Sequence, residues 1–74
     1  MTSFEIDCPR SFHTCDRISV HAEHRAGYSE FHLLKDGGVL SIIQRHLNGR
    51  WQNKTGKALT VEELAFISQQ IGNN

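Results

Sequence analysis

The chain has 74 residues, of which 38% are hydrophobic and 22% charged, and its eight basic side chains balance eight acidic ones. This composition is globular, and the length supports one domain, residues 1–74, with one small core. A formal charge of zero gives no global drive toward nucleic acid or anionic lipid, and no run approaches the roughly 18 apolar residues of a membrane span.

The N-terminus Met1-Thr2-Ser3-Phe4-Glu5 lacks the basic and apolar regions of a signal peptide, so a cytoplasmic location is expected. Cys8 and Cys15 are then expected to be free thiols; a disulfide closing a small loop is the alternative if a signal peptide has been removed. Phe4-Glu5-Ile6 alternates and reads as a short strand that ends at Cys8-Pro9, because proline cannot donate to a ladder. Residues 8–16 read as a loop. Within it Cys8, His13 and Cys15 match no structural zinc spacing, and no orienting group accompanies a Cys–His nucleophile.

From Arg17 the pattern has period two, with Ile18, Val20 and Ala22 alternating with Ser19, His21 and Glu23. Gly27 marks a turn, Phe31 and Leu33 alternate with Glu30 and His32, Asp36-Gly37-Gly38 is a hairpin signal, and Val39 to Leu47 reads as a third long strand. A two-residue turn at Asp36-Gly37 pairs Leu33 with Leu40 and Phe31 with Ile42, gathering four large apolar side chains on one face. A three-residue loop would set Phe31 opposite Ile43 and Leu33 opposite Ser41, and it is disfavoured because it mixes the faces. For the preceding hairpin, a turn at Ala26-Gly27 opposes Glu23 to Glu30, whereas a four-residue turn pairs Glu23 with His32.

Asn48-Gly49 is a further turn signal, Arg50-Trp51-Gln52 a short edge strand, and residues 53–58 a polar loop. Leu59-Thr60-Val61-Glu62-Glu63-Leu64 then combines a capping box with a hydrophobic staple. It opens a helix over Val61 to about Ile71 whose buried stripe is Val61, Leu64, Ile67 and Ile71, with Gly72 as its stop. The pieces predict an α+β fold, an antiparallel meander of three to four strands with one C-terminal helix packed on one sheet face. The other face is left partly open.

Three groups of residues are candidates for function. Phe66 lies away from the helix's apolar stripe, so it must be covered by the N-terminal segment, by a partner, or by water. Together with Leu34, Val39 and Ile43 on the far sheet face it points to partner binding, either a homodimer or another protein. Arg45, Arg50, Trp51, Lys54 and Lys57 belong to a segment without acids that could contact phosphates or a single-stranded nucleic acid, with Trp51 stacking on a base. His21 and His32, near Glu23, Glu30 and Ser41, could ligate a divalent metal as a metal-binding protein or metal-dependent enzyme. No CxxC, HExxH or GxxxxGK[ST] signature accompanies them, and no cofactor is expected. A non-enzymatic interaction module is the leading expectation.

Overall fold

The computed structural model describes residues 2–12 and 17–73. Five strands run in chain order, β1 (Thr2–Asp7), β2 (Arg17–Arg25), β3 (Tyr28–Lys35), β4 (Gly38–His46) and β5 (Trp51–Gly56), followed by helix α1 (Val61–Gly72). They form one antiparallel sheet in which spatial order equals sequence order. The α+β meander therefore holds, with five strands rather than three to four. Both short segments flanking the long strands are full members of the ladder.

The β2–β3 hairpin takes the tight Ala26-Gly27 turn, which pairs Ala22 with Phe31, Val20 with Leu33, and Glu23 with Glu30. The like-charge opposition is relieved because each carboxylate has its own cation. Arg25 Nη2 lies 2.5 Å from Glu23, and Lys54 Nζ lies 2.9 Å from Glu30.

At the next hairpin the turn and the register part company. Asp36 and Gly37 both have positive φ, 54° and 81°, as a two-residue hairpin turn of the primed kind requires, and Lys35 pairs with Gly38. One residue further along, however, Leu34 pairs with Val39 while Leu33 pairs with Ser41. Leu40 is the extra residue of a β-bulge, and a one-residue insertion turns every later side chain to the opposite face. Phe31 therefore opposes Ile43, the pairing disfavoured from sequence. Ile43 and Ser41 are fully buried, Ile42 faces the other way, and Leu40 still packs against the core.

The bulge persists because the rest of the chain grips it. The Leu40 carbonyl accepts from the Lys57 N–H at 2.9 Å, and the Ser41 hydroxyl donates to the Lys57 carbonyl at 2.7 Å. A buried hydroxyl is thus satisfied, and the chain leaving β5 is tied beneath β4. Gly56 makes this approach possible. A Cβ there would stand 2.6 Å from the Leu40 carbonyl oxygen and 2.7 Å from the Ser41 Cα, and its φ is +84°.

From this anchor α1 crosses the covered face of the sheet against β1 and β5. Its start carries the expected capping box: the Thr60 hydroxyl accepts from the Glu63 N–H at 3.1 Å, and the Glu63 carboxylate accepts from the Thr60 N–H at 2.9 Å. Ile67 and Ile71 bury against Ile6, Ile18, Val20, Ala22, Phe31, Leu33 and Ile43, with Leu64 partly buried beside them. Val61, expected in the stripe, is 82% exposed, because the first turn projects beyond the sheet and Glu63 takes the buried position. Gly72 is the last helical residue; the helix is capped at Asn73, whose N–H donates to Gln69 O at 3.1 Å. No described helix is long and apolar enough to cross a membrane.

Replacing Gly56 with alanine should lose roughly 2 kcal/mol or more, from left-handed backbone strain alone and then from the clash with Leu40 and Ser41. Denaturant unfolding measures it. An unchanged midpoint would mean that β4 and β5 do not approach this closely.

Candidate functional site

With α1 on one face, no described element lies across the other. The ladder registers arrange that uncovered face in rows. Arg25, Tyr28 and His46 form one row near the β2–β3 turn; Glu23, Glu30, Gln44 and Gln52 form the next. His21, His32, Ile42 and Thr55 follow, and Ser19, Leu34 and Val39 close the series toward the β3–β4 turn. The face is polar at one end and apolar at the other.

Glu30 holds the centre. Its side chain is only 7% exposed although no element covers it, since neighbouring side chains enclose it. One carboxylate oxygen faces His32 Nε2 at 2.9 Å, and the other accepts from Lys54 Nζ at 2.9 Å and Gln44 Nε2 at 3.2 Å. The Lys54 ammonium, seconded by His32, lowers the Glu30 pKa from 4.5 to about 2 against the opposing effect of burial. The carboxylate is therefore ionised and accepts only, so the proton in the His32–Glu30 contact sits on Nε2. Lys54 reaches this position because it is the extra residue of a second bulge, where Ile42 pairs with Thr55 and Ile43 with Asn53.

A second buried carboxylate works at the helix start. Ser11 Oγ donates to Glu63 Oε2 at 2.5 Å, and Lys57 Nζ stands 3.9 Å from Oε1. The Ser11 hydroxyl, then the Thr60 backbone N–H, holds the Glu63 carboxyl below the usual carboxylate range. One side chain thus caps α1 and clamps it to the loop after β1. That loop also explains Phe66, which is partly buried against the core and borders a cleft formed with Pro9, Arg10 and Ser11. The loop after β1 lies beside it, across that cleft.

The residues singled out from sequence are consequently dispersed. Leu34 and Val39 share one end of the uncovered face, and Val39 is 58% exposed. Ile43 does not join them, because the β4 bulge turns it into the core, and Phe66 lies on the helix across the sheet. Ile42 takes the place expected of Ile43. In the basic segment, Trp51 stacks on Phe31 with ring centroids 5.3 Å apart, closing the end of the core. The Arg45 guanidinium lies 5.9 Å and 5.7 Å from the centroids of Phe31 and Trp51. Lys54 belongs to Glu30, and Lys57 lies between Glu63 and the Phe12 ring, 5.2 Å from its centroid. Only Arg45 and Arg50 of the five basic-segment candidates are cations without an acidic partner among the described residues.

His21 and His32 are cross-strand neighbours as expected. Among the described residues, however, no three His, Cys, Asp or Glu side chains group closely enough to hold a metal ion. Cys8 is disulfide-bonded, against the free thiol expected, while His13 and Cys15 lie outside the described residues. Comparison with family models, with curated proteins and with solved structures finds no match for this chain.

Stability in acid should report Glu30 directly. A carboxyl whose pKa falls on folding contributes stability that is complete above its unfolded value and is lost as pH falls toward its folded value. The excess stability of the wild type over Glu30→Gln should accordingly shrink as pH falls from about 4.5 to about 2. Thermal unfolding of both proteins across that range measures it. A difference independent of pH would show that Glu30 is not held ionised by this network.

Proposed function

We propose that this chain is a non-enzymatic interaction module whose uncovered sheet face docks a second copy of itself. The observation that carries this reading is the state of Glu30, a charge already enclosed and paired on a face that no element of its own chain covers. Burying charged groups in an interface ordinarily costs desolvation and ordering, and here most of both has been met before a partner arrives. Beside it, Leu34, Val39 and Ile42 supply apolar area for a sheet-on-sheet contact.

Two further features support the choice. A carboxylate with its pKa at about 2 does not exchange protons at neutral pH, so Glu30 suits a docking surface better than acid–base catalysis. A formal charge of zero also leaves no net repulsion between copies, and a face that is polar at one end and apolar at the other is complementary to itself about a twofold axis. The cytoplasmic location expected from the N-terminus is weakened by the disulfide at Cys8, a bond that oxidising compartments preserve and cytosolic thiols reduce.

Sedimentation equilibrium over a range up to millimolar concentration is the test. The wild type should show a dimer mass, and Leu34→Glu, altering a half-buried residue on the uncovered face, should be monomeric with an unchanged circular dichroism spectrum. A wild type that stays monomeric throughout, or a dimer that survives Leu34→Glu, would refute docking through this face.

A further inference from the structure

The charge of this chain is neutral in sum and unevenly balanced in space. At one end of the sheet Asp7, Asp36 and the helix-start pair Glu62 and Glu63 are interspersed with Arg10, Arg17, Lys35 and Lys57. The opposite end gathers the β2–β3 and β4–β5 turns. It carries His24, Arg25, Arg45, His46 and Arg50, and of the two carboxylates in the next row Glu23 is paired with Arg25 and Glu30 with Lys54.

Two clefts open at this end on either side of His46. Arg25, Tyr28, Ser29 and Arg45 line one, together with His46; Asn48, Arg50, Trp51 and Gln52 line the other, again with His46. Tyr28 and His46 approach with ring centroids 6.3 Å apart, and Leu47 beside them is 86% exposed. The hairpin holds Arg50 in place, since its carbonyl accepts from the His46 N–H at 2.8 Å and its N–H donates to Asn48 Oδ1 at 3.0 Å. Arg45 and Arg50 are both exposed, and Arg45 is the more committed of these two cations without acidic partners, lying over the Phe31 and Trp51 rings.

We infer that this end of the sheet is a binding surface for the sugar-phosphate backbone of a single-stranded polynucleotide, with phosphates seated in both clefts and a base lying against Tyr28 and His46. Two cationic clefts sharing one wall suit successive phosphates better than a single small anion. Rings between the cations suit a nucleotide chain, because every base offers a π-face that stacks on an aromatic side chain. The surface differs from the linear basic segment: Lys54 and Lys57 are withdrawn to Glu30 and Glu63, and Arg25, Tyr28 and His46 replace them. It includes the Arg25, Tyr28 and His46 row at the polar end of the uncovered face, opposite the Leu34 and Val39 end.

Fluorescence anisotropy of a labelled oligothymidylate, measured in low salt and across a salt series, tests the inference, with unlabelled heparin as competitor. Binding should weaken with salt at a log–log slope of about −0.7 for each phosphate engaged. Arg50→Glu should weaken binding about tenfold and make the slope shallower by about one phosphate's worth, and Tyr28→Ala should weaken it about tenfold at unchanged slope. Lys35→Glu, which makes the same charge change at the far end of the sheet, should leave both intact, and unaltered thermal midpoints for Arg50→Glu and Lys35→Glu keep the comparison valid. Absence of binding in low salt would overturn the inference, as would equal losses for Arg50→Glu and Lys35→Glu. Indifference of oligonucleotide affinity to Tyr28→Ala, with heparin competing as an equal, would overturn its nucleotide character.

Discussion

The bulge at Leu40 is the constraint on which the rest of this structure depends. One extra residue in β4 puts Ser41 and Ile43 into the core and turns Ile42 out. The same bulge binds Lys57 through the Leu40 carbonyl and the Ser41 hydroxyl, which sets where the chain leaves the sheet and therefore where α1 begins. Once α1 is committed to that side, the opposite face has no covering element among the described residues. Its composition follows from the parity that the bulge imposes. A sheet without the bulge would bury Ile42 and expose Ile43, with Ser41 displaced from its partner.

Much of the fold was legible in the residues because the relevant signals are local. Period-two alternation located β2, β3 and β4, Asp36-Gly37 located a two-residue turn, and Thr60 with Glu63 located the start of α1 to the residue. The register beyond Asp36-Gly37 was not legible, since the bulge is stabilised by Gly56 and Lys57, sixteen residues along the chain from Leu40 and Ser41. Apolar parity alone favours Leu40 and Ile42 together, and a bulge defeats that argument by letting Leu40 keep its core contact while its successors change sides. Val61 misled for a related reason: helical spacing places it on the stripe, but the sheet does not extend beneath the first turn.

The candidate site was legible in part. His21 and His32 were correctly placed as open-face neighbours, and the Glu23–Glu30 opposition was visible as a cost. Its resolution by Lys54 was hidden, because that residue read as one charge in a polar loop and reaches Glu30 only through the second bulge. Net charge hid the rest. Two buried carboxylates each take a lysine from the basic segment, Glu30 to hold a surface and Glu63 to hold a helix start, so a run that reads as one patch becomes three separate environments. What remains positive is defined by the end of the sheet and not by the run of sequence.

The composition of the uncovered face rests on the β3–β4 register, and cross-strand nuclear Overhauser effects read that register most directly. Phe31 should show contacts across the strands to Ile43, and Leu33 to Ser41. Contacts from Phe31 to Ile42 in place of Ile43 would contradict the account, because they would restore the bulge-free sheet and return Ile43 to the surface.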